Sequence, residues 1–299
     1  MQHVTVLKQK AIEMLNLSSG SVVVDCTLGS GGHAKEILSQ LSAEGTYIGI
    51  DADPTAIAAI SEELSSYEAT VHLVNDNFRN LKKVLETLSI SSVDAVLADL
   101  GWRMEQFDGS AGLPRGFSFN VEEPLEMTFG NPSDYPFTAA DIVNDWEEED
   151  IANVIYGYGQ DRFARRIARA IVKERAVEPI KTSTQLGEIV RAAAPAAVRR
   201  GRTHPATKTF QALRIAVNDE FDTLNDLLLD GFTSLNSGGR MVIISFHSLE
   251  DRMVKETFKT YTRDQIGTLV HKKPLVPEQE ELQANPRSRS AKLRTIEKV

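Results

Sequence analysis

The segment Asp25-Cys26-Thr27-Leu28-Gly29-Ser30-Gly31-Gly32-His33 joins an apolar run, Val22-Val23-Val24, to a helix-like stretch that begins at Ala34. Glycines at such a junction let a strand turn sharply into a helix and let backbone approach a ligand with no Cβ in the way, and a helix start offers N–H donors. A nucleotide-like ligand suits this turn. A second strand, Thr46-Tyr47-Ile48-Gly49-Ile50, ends in Asp51, where a carboxylate can accept hydrogen bonds from both hydroxyls of a ribose. The spacing Gly29-x-Gly31-x-x-Ala34 taken alone also suits a nicotinamide or flavin site. Asp25, at the end of the first strand, adds a carboxylate suited to a ligand with a cationic ammonium group, such as S-adenosylmethionine. These residues by themselves leave a methyltransferase, a dinucleotide enzyme and a purely structural glycine turn open.

The elements around them decide where the carboxylates must stand. Thr70-Val71-His72-Leu73-Val74 reads as a third strand, followed by Phe78 and an amphipathic helix through Leu81, Val84, Leu85 and Leu88. Val93 to Asp99 is a buried strand with a carboxylate at its C-terminal end. Strands alternating with helices predict a mostly parallel, doubly wound sheet whose ligands sit beyond the carboxyl ends of the strands. Asp25, Asp51, Phe78 and Asp99 are expected to converge there. The alternation then stops, and helical patterns at 139–143, 147–156, 162–175 and 184–194 follow a Gly/Pro-rich loop. Strand character returns at 240–246, after one long helix from about 210 to 235 and a Gly238-Gly239 turn. The expected division is an α/β domain in two parts, 1–106 and 205–299, split by an inserted small helical domain at 107–204. The second part is expected to end in a basic tail, with a polar loop or mobile arm at 274–289.

Composition bounds the function classes. An apolar content of 41% with 25% charged residues is ordinary for a globular protein. The single cysteine, Cys26, excludes an intramolecular disulfide, and no Cys/His group has zinc spacing, so no metal is expected. Residues 1–17 lack the apolar core of a signal peptide and no run reaches transmembrane length, which points to the cytoplasm and away from membranes. The net charge of −9 argues against nucleic acid until its distribution is considered. Acid gathers at Asp145-Trp146-Glu147-Glu148-Glu149-Asp150. Base gathers in three later stretches: Arg162, Arg165, Arg166, Arg169 and Lys173 on one helix face; Arg191, Arg199, Arg200, Arg202 and Lys208; and Arg287, Arg289, Lys292, Arg294 and Lys298 in the tail. Together they predict a phosphate-binding surface.

Longer strings carry a family resemblance. Asp25-x-Thr27-x-Gly29-x-Gly31-Gly32-His33, Arg115-Gly116-Phe117-Ser118-Phe119, His204-Pro205-Ala206-Thr207-Lys208 running on to Glu220, Ser245-Phe246-His247-Ser248-Leu249-Glu250-Asp251-Arg252 and Asn285-Pro286-Arg287-Ser288-Arg289-Ser290-Ala291-Lys292 span essentially the full chain. In these the sequence resembles the bacterial ribosomal RNA small subunit methyltransferase H family, also called MraW. That family transfers a methyl group from S-adenosylmethionine to the exocyclic N4 of a cytidine in 16S rRNA. The resemblance implies a class I methyltransferase fold, a Rossmann-like doubly wound sheet with the helical insertion, and 16S rRNA or the small ribosomal subunit as partner. It implies cofactor contacts at Gly31, Gly32, His33, Asp51, Phe78, Asp99 and Gln106.

The chain departs from the family's pattern after the fourth strand, where a small residue and two serines give way to Trp102-Arg103-Met104 before Glu105-Gln106. Leu125-Glu126-Met127-Thr128-Phe129 replaces Leu-Asp-Met-Arg-Met, and Thr5 stands for a proline. The first departure defines a rival reading, a non-catalytic relative that binds S-adenosylmethionine or RNA. In the leading reading Asp99 is catalytic, accepting hydrogen bonds from the cytosine amine, and Trp102 is placed either to stack on the extruded base or to pack beneath the inserted domain. His247 and Ser248 lack the Gly-x-Ser-x-Gly elbow of a hydrolase and read as structural or substrate-facing, and His204 as ordering the return from the insertion.

Overall fold

The computed structural model describes residues 5–101, 114–201 and 203–299. Trp102, Arg103, Met104 and Gln106 therefore lie outside the described residues, as do Arg202 and the side chain of Arg287.

Strands β1 (Val22–Asp25), β2 (Thr46–Asp51), β3 (Thr70–Asn75), β4 (Val93–Asp99), β5 (Leu235–Ser245), β6 (Gly267–Leu269) and β7 (Lys292–Lys298) form one sheet in the order β3-β2-β1-β4-β5-β7-β6. The first five are parallel to one another, and β7 is antiparallel to both β5 and β6. Because side chains alternate across a strand, the apolar runs feed two separate cores. Val23, Tyr47, Ala95, Leu97, Val242 and Ile244 face one core with the helices Lys8–Leu15, Gly32–Leu38 and Pro54–Leu64. Val24, Ile48, Val96, Ala98, Met241 and Ile243 face the other, with the helices Leu81–Thr87, Glu220–Thr233 and Ser248–Arg263. This is the expected doubly wound, Rossmann-like class I arrangement.

The chain divides into two compact units, residues 1–102 with 221–299, and residues 103–220. The boundary expected at 204 is thus corrected: the helix Thr207–Val217 belongs with the insertion, where it packs on the helix Glu148–Gly159. The two helices approach closely because Gly159 has no side chain; a Cβ there would stand 2.6 Å from the Lys208 carbonyl oxygen. Among the described residues the other α-helices of this unit are Ala139–Asp145, Ala164–Arg175, Ser183–Ala193 and Ala196–Arg199. Thr138 and Thr182 start two of them with capping boxes to Asp141 and Gln185.

The expected single helix from 210 to 235 is two helices, interrupted at Asn218 and Asp219. Asp219 is left-handed at φ 48°, while Asn218 leaves the helical pattern to bond the Met127 carbonyl through Nδ2 at 2.7 Å and the Phe129 N–H through Oδ1 at 2.8 Å. Buried Arg115 closes the same loop by donating to the carbonyls of Thr128 and Phe129.

The basic tail is also corrected, since residues 292–298 are β7. Lys292 and Arg294 reach Asp251 at 2.8 and 2.7 Å, and Lys298 donates to the Thr233 and Leu235 carbonyls. Burial alone would raise the Asp251 pKa, but the hydrogen bonds from Arg294 and Lys292 outweigh it and hold the carboxyl below its usual range. Residues 274–289, expected as a polar loop or arm, contain the helix Gln279–Ala284, whose Glu281 accepts the Leu7 N–H at 2.6 Å.

Candidate active site at the strand ends

Asp51, Asp25 and Asp99 close the C-terminal ends of β2, β1 and β4, three adjacent strands, with Asp25 in register with Gly49 and Leu97. The turn after β1 is left-handed at Gly29 (φ 52°) and Gly31 (φ 77°), backbone that favours glycine. At Gly32 the constraint is space: an added Cβ would lie 1.7 Å from Thr5 Oγ1. Thr5 is therefore packed directly on the turn.

The carboxylates have different duties. Asp51 is half-buried, and its Oδ2 accepts the Gly29 N–H at 2.8 Å while Oδ1 accepts the Asp53 N–H at 2.9 Å. It fixes the glycine turn to β2. Asp25 is fully buried, accepting the Tyr47 hydroxyl at 2.9 Å and the Thr27 N–H at 3.1 Å. Burial raises its pKa against the lowering influence of His33 and of these two donors. The expectation that Asp25 meets a ligand's ammonium group is not met: its side chain is fully buried, with its bonds to Tyr47 and Thr27 inside the core, so its part is to hold the turn.

Asp99 is placed by its backbone, whose N–H donates to Thr27 Oγ1 at 2.7 Å. Its side chain is 19% exposed, with Oδ2 3.5 Å from Nε2 of His33, a side chain only 5% exposed. Among the described residues Asp99 Oδ1 and both ring nitrogens of His33 are buried with no hydrogen-bond partner. A buried polar atom left unpaired costs about 1 to 3 kcal/mol, so a cluster of three at the sheet's ligand-binding end fits a site built to receive a polar ligand. The donor set, carboxylates and an imidazole around a glycine turn, suits a nucleoside carrying an amino acid moiety.

Gly31, Gly32, His33, Asp51 and Asp99 are thus brought to one end of the sheet. Phe78 lies past β3 on a 3-10 turn, half-buried against the core that contains Ile48 and Val96. The turn is tied to the site because the Asp76 N–H donates to the Asp51 carbonyl at 3.1 Å. Gln106 lies outside the described residues. Sequence reasoning missed Thr27 and Tyr47 as supports. The one available signal was Tyr47 itself, a phenol in an otherwise aliphatic strand, whose hydroxyl needs a buried partner.

Two motif histidines are structural. His247 starts the helix Ser248–Arg263 with a capping box to Glu250, whose Oε2 takes the N–H groups of Phe246 and His247 at 2.9 and 3.2 Å. His204 accepts the Ala206 N–H and stacks on Phe119 at 4.3 Å, and its partial burial lowers its pKa.

The family model described as the MraW methylase family matches residues 1–299. A protein of Brevibacillus brevis named ribosomal RNA small subunit methyltransferase H is 43% identical over 312 residues, covering 99% of this chain and 98% of its own length. Proteins of the same name from Clostridioides difficile and a Paenibacillus species are 42% and 43% identical, each covered over 99% of its length.

Proposed function

The chain belongs to the MraW methylase family, and on that footing we propose that it transfers a methyl group from S-adenosylmethionine to the exocyclic N4 of a cytidine in 16S rRNA, acting in the cytoplasm. Membership closes the choice that the glycine turn left open, in favour of a methyltransferase over a nicotinamide enzyme. The observation that carries the residue assignments is the buried, unpartnered acceptor Asp99 Oδ1 at the end of β4.

When bound, S-adenosylmethionine supplies the electrophilic methyl group of its sulfonium. The chain's own residues bind and orient. Asp51, at the end of β2 beside the glycine turn, takes the ribose hydroxyls. The turn at Gly31, Gly32 and His33 lines the amino acid end, Phe78 is assigned to the adenine, and Gln106, just past Asp99 in the sequence, is a further cofactor contact. Asp99 accepts hydrogen bonds from the cytosine amine, whose lone pair is delocalised into the ring and has to be turned toward the methyl group. Positioning supplies most of the rate, and the carboxylate takes charge off the developing ammonium before the proton leaves.

The reading of a non-catalytic relative, raised by Trp102-Arg103-Met104, is not favoured, since about 43% identity extends over the full length of relatives named as methyltransferases. The test is mass spectrometry of 16S rRNA cytidines after incubation with the protein and labelled cofactor. Label on N4 of a single cytidine is expected, and Asp99→Asn is expected to keep the cofactor dissociation constant within about threefold while transfer falls about a hundredfold or more, an electrostatic contribution of about 2.7 kcal/mol. Label elsewhere, or none, removes the proposal.

A further inference from the structure

Two residues past Asp99 the chain turns at Gly101, with φ 115°, and a Cβ there would stand 3.4 Å from Cδ2 of Phe246. Phe246 follows β5, the strand beside β4, with Asp99 in register with Ile244. Half-buried, it forms one wall of a cleft of about 360 Å³ whose other walls include Ser248, Val276, Arg289, Ser290 and Lys292. The lining sets an aromatic side chain beside two hydroxyls and two cations, with His247, Val276 and Ala291 completing it. Arg289 is exposed and makes no ion pair among the described residues. Lys292 holds Asp251 Oδ2 at 2.8 Å but is 40% exposed, and an ammonium has three donors.

An aromatic face beside cationic side chains is how proteins grip single-stranded nucleic acid, the ring stacking on a base while the cations take the backbone. The location adds the reason for this partner, because neighbouring strands lie about 4.8 Å apart and the cleft opens one strand over from Asp99. We propose that the cleft seats the nucleotide flanking the target cytidine, with its phosphate on Arg289 and Lys292 and its base against Phe246. This rests on Asp99 being where the target amine is held. It makes Arg289 and Phe246 substrate-binding residues of the α/β unit, independent of the basic helix of the insertion.

The full chain is tested as wild type, Arg289→Glu, Arg289→Lys and Phe246→Leu, measuring KM and kcat for small-subunit rRNA across a salt series and S-adenosylmethionine affinity by calorimetry. Arg289→Glu is expected to raise the RNA KM about tenfold and to flatten the log-log salt dependence by about 0.7, the effect of neutralising one phosphate fewer on a single strand. Cofactor affinity and kcat at saturating RNA stay within about twofold, and Arg289→Lys recovers most of the KM. Phe246→Leu is expected to raise KM without changing the salt slope. Unchanged KM and salt slope in Arg289→Glu, with normal turnover, place the cleft off the RNA path. A defect confined to assembled subunits and absent on naked RNA assigns the cleft to a ribosomal protein and overturns the proposal. If the wild type transfers no methyl group to rRNA, the catalytic assignment fails first and the subsite goes with it.

Discussion

Thr27 and Asp99, 72 residues apart, are joined by a 2.7 Å hydrogen bond from the Asp99 N–H to Thr27 Oγ1. Thr27 is held in turn, because its own N–H donates to Asp25, and Asp25 receives the Tyr47 hydroxyl. A chain of three bonds therefore runs from the buried middle of β2 to the residue proposed to orient the cytosine amine. Asp25, the carboxylate that looked most like a ligand group, serves as the joint of that chain.

Thr27→Val keeps the shape and removes the acceptor, leaving the Asp99 N–H unpaired at a cost of about 1 to 3 kcal/mol. The single-turnover methyl-transfer rate is expected to fall about tenfold at saturating cofactor, with cofactor affinity changed less than threefold. Thr27→Ser restores the rate. A rate equal to wild type in the valine variant, measured by rapid quench, removes Thr27 from the positioning of Asp99.

How far the sequence disclosed this arrangement follows from the range of each interaction. β1 to β4 and the core of β5 were legible because their apolar residues are continuous and end in turn or carboxylate residues, and the glycine turn because backbone at Gly29 and Gly31 needs positive φ. β7 was not, since Lys292-Leu293-Arg294 reads as a solvated basic tail until Asp251, on a helix 41 and 43 residues earlier, is known to take both cations. The helix break at Asn218 depends on the Met127 carbonyl, 91 residues away, and no local pattern reports it. Asp25 was misread for the same reason: its position at a strand end was correct, but its burial depends on a phenol from the neighbouring strand.

Tyr47→Phe tests the buried joint through pH. The folded-state pKa of Asp25 is raised above 3.8, so between that value and the higher folded one the native protein binds more protons than the unfolded chain, and stability falls as pH rises through the window. Removing the hydroxyl takes a donor from the ionised carboxylate and raises its pKa further. Urea denaturation is expected to show a loss of about 1 to 3 kcal/mol at pH 7 that shrinks as pH falls toward the unfolded value. A loss that is constant with pH assigns the effect to packing of the ring alone.

Asp51→Ala is expected to act twice. Loss of a charged acceptor for the ribose, worth about 1.5 to 3 kcal/mol, weakens S-adenosylmethionine by about ten- to a hundredfold in calorimetry. The Gly29 and Asp53 N–H groups lose their partner as well, so the melting temperature of the unliganded protein drops. A lower melting temperature with unchanged cofactor affinity limits Asp51 to bracing the glycine turn.

The helix Ala164–Arg175 buries Ala164, Ile167, Ala168 and Ile171 and exposes Arg165, Arg166, Arg169 and Lys173, with Arg162 exposed just before it. Arg191 is paired with Glu188 and Lys208 with the Gln160 carbonyl, the cations of β7 are bound to Asp251 and to main chain, and Arg162 lies over the Phe163 ring, while on this helix, among the described residues, only Arg169 has an acid within 4 Å, Glu148 at 3.6 Å. Exposed pairs of that kind contribute at most about 1 kcal/mol and yield readily to a phosphate. Neutralising Arg165 and Arg166 together is expected to weaken RNA binding and to flatten the log-log salt dependence by about 0.7 for each phosphate no longer neutralised, with cofactor affinity unchanged. Both side chains are exposed, so the fold is not at risk. If affinity and salt slope match the wild type, this face is solvated and RNA phosphates are held elsewhere.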